Sequence, residues 1–167
     1  MDRMRTEEST VEASKIVVRR LRPDDLHAVI LLDARITGRR RDEYFRLKLA
    51  NALADTGVEV SLAAEHDGAF AGFLLARVYY GEFGVVEAVA VLDTIGVSPD
   101  FQRVGVGAAL LAQLCQNLEG LGIPQLRTEV GWDDQELLHF FHREGFVPAN
   151  RICLDLDVLA ARRRDVE

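Results

Sequence analysis

Residues 94–111 read TIGVSPDFQRVGVGAALL, and their interpretation decides the fold. A β-branched run closes at Ser98-Pro99, and a helical pattern then opens on two glycines, Gly105 and Gly107, one residue apart. Glycine in a helix costs about 1 kcal/mol against alanine, so something must offset the loss. One reading is packing, with the glycines letting a helix approach a sheet closely. A dinucleotide fingerprint needs a third glycine where Leu110 stands, and a P-loop needs a Gly-Lys-Ser/Thr that is absent. The remaining reading is a phosphate cradle. Backbone N–H groups at a helix start carry partial positive charge and lack intrahelical partners, and a missing Cβ lets an anion approach them. Arg103 would add a charge-assisted contact.

Outward from this turn, the chain alternates strand and helix signals. KIVVRRLRP reads as an edge strand stopped by Pro23, and Leu26, Val29, Ile30 and Asp33 then recur at helical spacing. RDEYFRLKLANALAD predicts a second helix carrying Tyr44, Leu47, Leu49 and Leu53. Two strand-like runs flank Asp67-Gly68, a strong hairpin signal. VEAVAVLDTIGV is a third, long β-rich run. Beyond the glycine turn, Val106, Leu110, Leu114, Leu118 and Leu121 make one apolar stripe, stopped by Gly120, Gly122 and Pro124. QLRTEV reads as a strand, DDQELLHFFHRE as a helix capped by Gly145, and FVPANRICLDLDV as the final strands. The expectation is one α+β domain over residues 15–160, in the order β-α-α-β-β-β-α-β-α-β-β, between a disordered tail (1–14) and a charged tail (161–167).

Composition narrows the function. The 167 residues suit one domain with a proper core, and a formal charge of −7 argues against nonspecific nucleic-acid binding. Cys115 and Cys153, both in apolar runs, read as reduced core residues of a cytoplasmic protein. No apolar stretch approaches the roughly 18 residues of a membrane span, and the first residues lack the apolar region of a secretory signal. His139 and His142 lie three apart, a spacing that can share a metal, but no third ligand stands nearby, so no metal site is expected.

TIGVSPDFQRVGVGAALL resembles the acetyl-CoA signature of the GNAT superfamily of N-acyltransferases, Gln/Arg-x-x-Gly-x-Gly/Ala after a Val-x-Pro strand end. FFHREGF resembles that superfamily's next marker, a tyrosine four residues before Gly-Phe. In motif the chain is nearest to ribosomal-protein alanine N-acetyltransferase-like members. The resemblance implies a mixed, mostly antiparallel sheet flanked by helices. It also implies that Gln102, Arg103, Val104, Gly105, Val106, Gly107 and Ala108 hold the pyrophosphate of coenzyme A. Ile95, Gly96 and Val97 would bind the pantetheine arm through their backbone, on a strand that splays from QLRTEV to admit the thioester. Acetyl-CoA is then the donor, and the acceptor an amine of a protein N-terminus, a lysine or a small molecule. The same reading leaves room for a homodimer.

Amine acylation needs a group to remove a proton, because a lysine-type amine is protonated at neutral pH. Glu129 stands twelve residues before Phe141, the register of the base in the ribosomal-protein relatives. Asp93, on the coenzyme strand, is the other candidate, and Glu87 begins the same run. Asp134 stands where relatives usually place asparagine near the pantetheine. Each of these carboxylates also suits a solvated strand end or a helix cap. Phe141 departs from the family: the tyrosine usual there protonates the leaving thiolate, and phenylalanine has no proton to give. Water, Tyr79 or Tyr80 would have to assist, or the chain is a non-catalytic acyl-CoA-binding or regulatory domain. Trp132 reads equally as core or as a wall of the acceptor site. The basic cluster Arg35, Arg39, Arg40 and Arg41 reads first as a solvated loop and second as a contact for an anionic acceptor.

Overall fold

A computed structural model describes residues 15–54, 60–81, 84 and 86–159 of the chain. Both expected tails, 1–14 and 161–167, lie outside these. The chain divides into two compact units, one ending at Glu129 and the other beginning at Val130.

The first unit is a five-stranded sheet in the order β1-β2-β3-β4-β5, with β1 Ile16–Arg20, β2 Leu62–His66, β3 Ala69–Tyr79, β4 Val89–Val97 and β5 Gln125–Thr128. The first four strands are antiparallel, and β5 joins β4 in parallel. Asp67 and Gly68 turn the β2–β3 hairpin with φ of 48° and 82°, both in the left-handed region that such tight turns require. Helix α1, Leu26–Thr37, comes after a 3-10 turn at Pro23–Asp25 and ends on Gly38 at φ 72°. Helix α2 spans Asp42–Ala54 and α3 spans Val106–Gly120.

One face of the sheet is covered by α1 and α2. Val29, Ile30 and Leu32 of α1 and Phe45 and Leu49 of α2 form a buried cluster with Ala63, Phe73 and Leu75. The buried stripe of α2 is therefore Phe45–Leu49, whereas Leu47 and Tyr44 of the expected set face outward. The other face takes α3, whose Val106, Leu110, Leu114 and Leu118 are buried as the 3.6-residue period requires. Leu121, expected in that stripe, caps the helix and is half exposed. Covered on both sides, β3 is buried continuously from Ala71 to Ala76.

A glycine does admit close helix–sheet packing, but it is Gly72. A Cβ there would stand 2.9 Å from the Gly96 carbonyl oxygen and 3.0 Å from Val106 Cγ1 of α3. Gly96, which pairs with Phe73 across the strands, makes room for that ring, which a Cβ would meet at 2.8 Å.

The second unit carries α4, Gln135–Arg143. Asp134 caps it, its carboxylate accepting from the Leu137 N–H at 3.0 Å, and Gly145 at φ 92° closes it. The Phe146 N–H then reaches back to the Phe141 carbonyl at 2.9 Å. The two strands expected in 146–158 do not form. Ile152, Leu154 and Leu156 alternate as a strand would, yet they are 86, 86 and 75% exposed, and the sheet's five strands do not include this segment. Alternation specifies which face a strand presents. It becomes a strand only where a neighbour takes its backbone hydrogen bonds. Both cysteines are free and exposed, correcting the expectation that they are core. Cys115 comes directly after Leu114 and turns onto the outward side of α3, and Cys153 lies in the segment that forms no strand.

Candidate active site

The site is built on the two unequal edges of β4. Along β3 the pairing runs from Tyr79↔Val89 to Gly72↔Val97. Along β5 it runs only from Val89↔Gln125 to Leu92↔Thr128, with Thr128 Oγ1 donating to the Leu92 carbonyl at 2.9 Å. β5 ends at that pair, so Asp93 to Val97 present an edge that no strand takes up among the described residues. The four steps from Asp93 to Val97 span about 13 Å. The splay expected around Ile95, Gly96 and Val97 would lie along this unpaired edge.

Asp93 and Glu129 are the first residues past the last pair, one on each side of the opening. Asp93 is also the extra residue of a β-bulge, because Thr94 pairs with Leu75 and Leu92 with Ala76. Bulges re-aim a side chain and are frequent beside active sites. Here the Asp93 carboxylate meets α2, where Lys48 Nζ donates to Oδ2 at 2.5 Å. The same ammonium lies 5.5 Å from the centroid of the Tyr44 ring. Glu129 is exposed and has no ion-pair partner among the described residues.

At the far end of the open edge the chain passes through a 3-10 turn, Pro99–Phe101, into the glycine turn. Gln102, Arg103, Val104 and Gly105 are all exposed, and Val106 then anchors the turn in the core. Arg103 has φ 66° and Gly105, the N-cap of α3, has φ 92°. The first bond of α3 runs from the Ala109 N–H to the Gly105 carbonyl at 2.9 Å. The N–H groups of Val106, Gly107 and Ala108 precede it and point out of the helix end. A Cβ on Gly105 would meet nothing within 4 Å. Packing therefore does not explain this glycine. Backbone conformation does, and the space above it is open to a ligand.

The arginine cluster is largely committed to internal carboxylates. Arg35 forms a two-pronged pair with Asp100, at 2.8 and 3.0 Å, tying α1 to the turn before the cradle. These partners hold the Asp100 carboxyl below its usual range and the Arg35 guanidinium above its own. Arg41 binds the buried Asp33 and lies over the Tyr44 and Phe45 rings, and Arg40 binds Asp42. Farther away, Arg19 bridges Asp25 and Glu65. Burial pushes the Asp25 carboxyl up, but the Arg19 guanidinium and the Arg22 N–H outweigh it and hold the group below its ordinary value.

The remaining candidates fall elsewhere. Asp134 and Phe141 belong to the second unit. Asp134 is engaged as the α4 cap, and Phe141 is buried edge-on between Phe140 and Phe146. Glu87, Tyr80, His139 and His142 are exposed. Trp132 is 87% exposed, which removes it from the core. No group of three or more His, Cys, Asp or Glu among the described residues could hold a metal ion, and no helix is long and apolar enough to cross a membrane. Sequence reasoning missed Lys48 as the partner of Asp93 and Tyr44 as the ring beside that lysine. The only signal available was their i, i+4 spacing on α2.

The family model for the acetyltransferase (GNAT) family matches residues 25–146, and the chain belongs to that family. Among curated relatives it is 32% identical over 84 residues to mycothiol acetyltransferase of Streptomyces coelicolor, which covers 50% of this chain and 26% of that protein. It is 34% identical over 80 residues to the ribosomal protein bS18-alanine N-acetyltransferase of Escherichia coli, covering 48% and 49%. The chain thus spans at most about half the length of these relatives. Among solved structures, AAC(6')-Iy in complex with the bisubstrate analogue CoA-S-monomethyl-acetylneamine shares the fold. Its TM-score is 0.73, with 19% identity over 86% of this chain and 99% of that one.

Proposed function

We propose that the protein transfers an acetyl group from acetyl-CoA to a primary amine by direct attack, with Glu129 as the general base. The observation that carries this reading is the open edge of β4, which leads from the two carboxylates to the exposed glycine turn. In this arrangement the α3 N-terminus and Arg103 receive the pyrophosphate, and the backbone of Ile95 to Val97 receives the pantetheine arm. The thioester then lies at the mouth between Asp93 and Glu129. Glu129, exposed and with no ion-pair partner among the described residues, takes the proton of the acceptor ammonium directly or through water. Asp93 is engaged by Lys48 and is the weaker candidate. A thiol of pKa about 8.5 leaves tolerably as thiolate, so the phenylalanine at position 141 is compatible with turnover.

Incubating the protein with acetyl-CoA and a panel of amines, a peptide N-terminus, a lysine peptide and an amino sugar among them, tests the proposal by release of free thiol. Binding of coenzyme A by calorimetry without thiol release from any amine would favour a non-catalytic acyl-CoA-binding domain instead.

A further inference from the structure

We propose that Lys48 is itself an acetyl acceptor, modified within its own chain by the donor held along β4. The inference rests on the acetyl-transfer reading above. Its first support is position: Lys48 Nζ sits on the carboxylate of the bulged residue Asp93, at the mouth of the splay, where an acceptor amine would have to stand. The Tyr44 face and the Asp93 carboxylate together make an ammonium site, and the chain's own lysine fills it. The pair is reachable, with side chains 26 and 33% exposed.

The second support is the choice of cation. Of the 20 basic residues, 18 are arginine, leaving Lys15 and Lys48 as the only lysines. The carboxylate pairs on Arg19, Arg35, Arg40, Arg41 and Arg46 use guanidinium, two-pronged where Asp25, Asp33, Asp42 and Asp100 accept. Arginine would hold Asp93 better, through two parallel bonds, but it cannot serve as an amine nucleophile. Ion pairing alone does not account for lysine at this position.

In the step, the Lys48 ammonium gives a proton to Asp93, which passes it to solvent. The neutral amine attacks the thioester carbonyl, an N–C bond forms, the C–S bond breaks and coenzyme A leaves as thiolate, while the second proton on the nitrogen passes through the Asp93 carboxylate to solvent. The product, an uncharged acetyl-lysine, can no longer pair with Asp93, so the modification would release that carboxylate into the site.

Incubation of the full chain with acetyl-CoA bearing an isotopically labelled acetyl group, then peptide mapping in a mass spectrometer, reads both lysines at once. Lys15 is exposed and reports non-enzymatic acetylation. Lys48 should be labelled about 10²-fold faster than Lys15, modest beside the effective molarities of well-placed groups. Its rate constant should not change with protein concentration. Gly105→Glu, or an excess of free coenzyme A added to the unmodified chain, should remove the difference. Equal labelling of the two lysines, or a Lys48 rate that scales with protein concentration, would overturn the inference. So would a chain that acetylates an added amine but leaves Lys48 bare, with the acetyl-transfer reading left standing. A chain that binds no coenzyme A would overturn both.

Discussion

The two edges of β4 are made from the same nine residues and are used in opposite ways. Toward β3 the strand is paired along its length, and its neighbours fill every space, so that even a methyl group on Gly72 or Gly96 would collide. Toward β5 pairing stops at Leu92, and beyond it lie a strand edge that no strand takes up among the described residues, two carboxylates, and a glycine whose Cβ would meet none of their atoms within 4 Å. Glycine occurs on both sides for different reasons. On the closed side it is required by what touches it, and at Gly105 by a backbone angle and by what must be free to approach. The closed edge should therefore carry stability and the open edge binding and chemistry.

The sharpest break of that division is Glu129→Gln. Turnover should fall by roughly 10²–10⁴ at neutral pH, the usual range for losing a general base. Coenzyme affinity and melting temperature should hold. The deficit should shrink as pH rises toward the pKa of the acceptor amine. If Asp93→Asn shows this pattern and Glu129→Gln does not, the base has been assigned to the wrong side of the splay.

Gly105→Glu comes next. A carboxylate about 4 Å from a pyrophosphate charge costs about 4 kcal/mol near a protein surface, or roughly 10³-fold in coenzyme affinity. The side chain also adopts a left-handed angle at a cost of about 1–2 kcal/mol, and Gly105→Ala shares that strain without the charge. Calorimetry on the pair separates the two effects. Unchanged affinity in Gly105→Glu would remove the cradle assignment.

On the closed edge, Gly72→Ala should lower stability by about 1–3 kcal/mol, because the added methyl meets a carbonyl oxygen and an α3 side chain that cannot both withdraw. Chemical denaturation measures it. A neutral result would mean that α3 is free to move away from the sheet, and the contrast between the two glycines would lose its basis.

The smallest effect lies outside both edges, in the acid stability supplied by Asp25. Its carboxyl is depressed in the folded chain, so its contribution is present above the unfolded value of about 3.9 and is lost as pH falls through the lower folded value. Asp25→Asn should abolish that part of the acid dependence, at most about 1 kcal/mol. Melting curves of both proteins between about pH 5 and pH 2.5 make the comparison. A steeper acid limb in the variant would contradict the assignment.

Much of this was legible in the sequence, and particular residues show why. Asp67-Gly68 marks a turn, Pro23 a helix entry and the Val106–Leu118 stripe a buried helix face, because each depends on local geometry that only certain side chains permit. The glycine turn was legible for the same reason. The segment 151–158 was misread because its alternation is as regular as that of a paired strand, while pairing depends on a partner remote in sequence.

The sequence alone determined the order of the elements through α4, the glycine turn that opens α3 and the family the chain belongs to. These are written in short-range sterics and in residue spacing. Only the tertiary structure decided that Gly72 is the packing glycine, that β4 loses β5 after Leu92, and that Lys48 reaches across 45 positions to hold Asp93. Each of these depends on two surfaces distant in sequence meeting at a set depth and register, and no local propensity encodes where such surfaces meet.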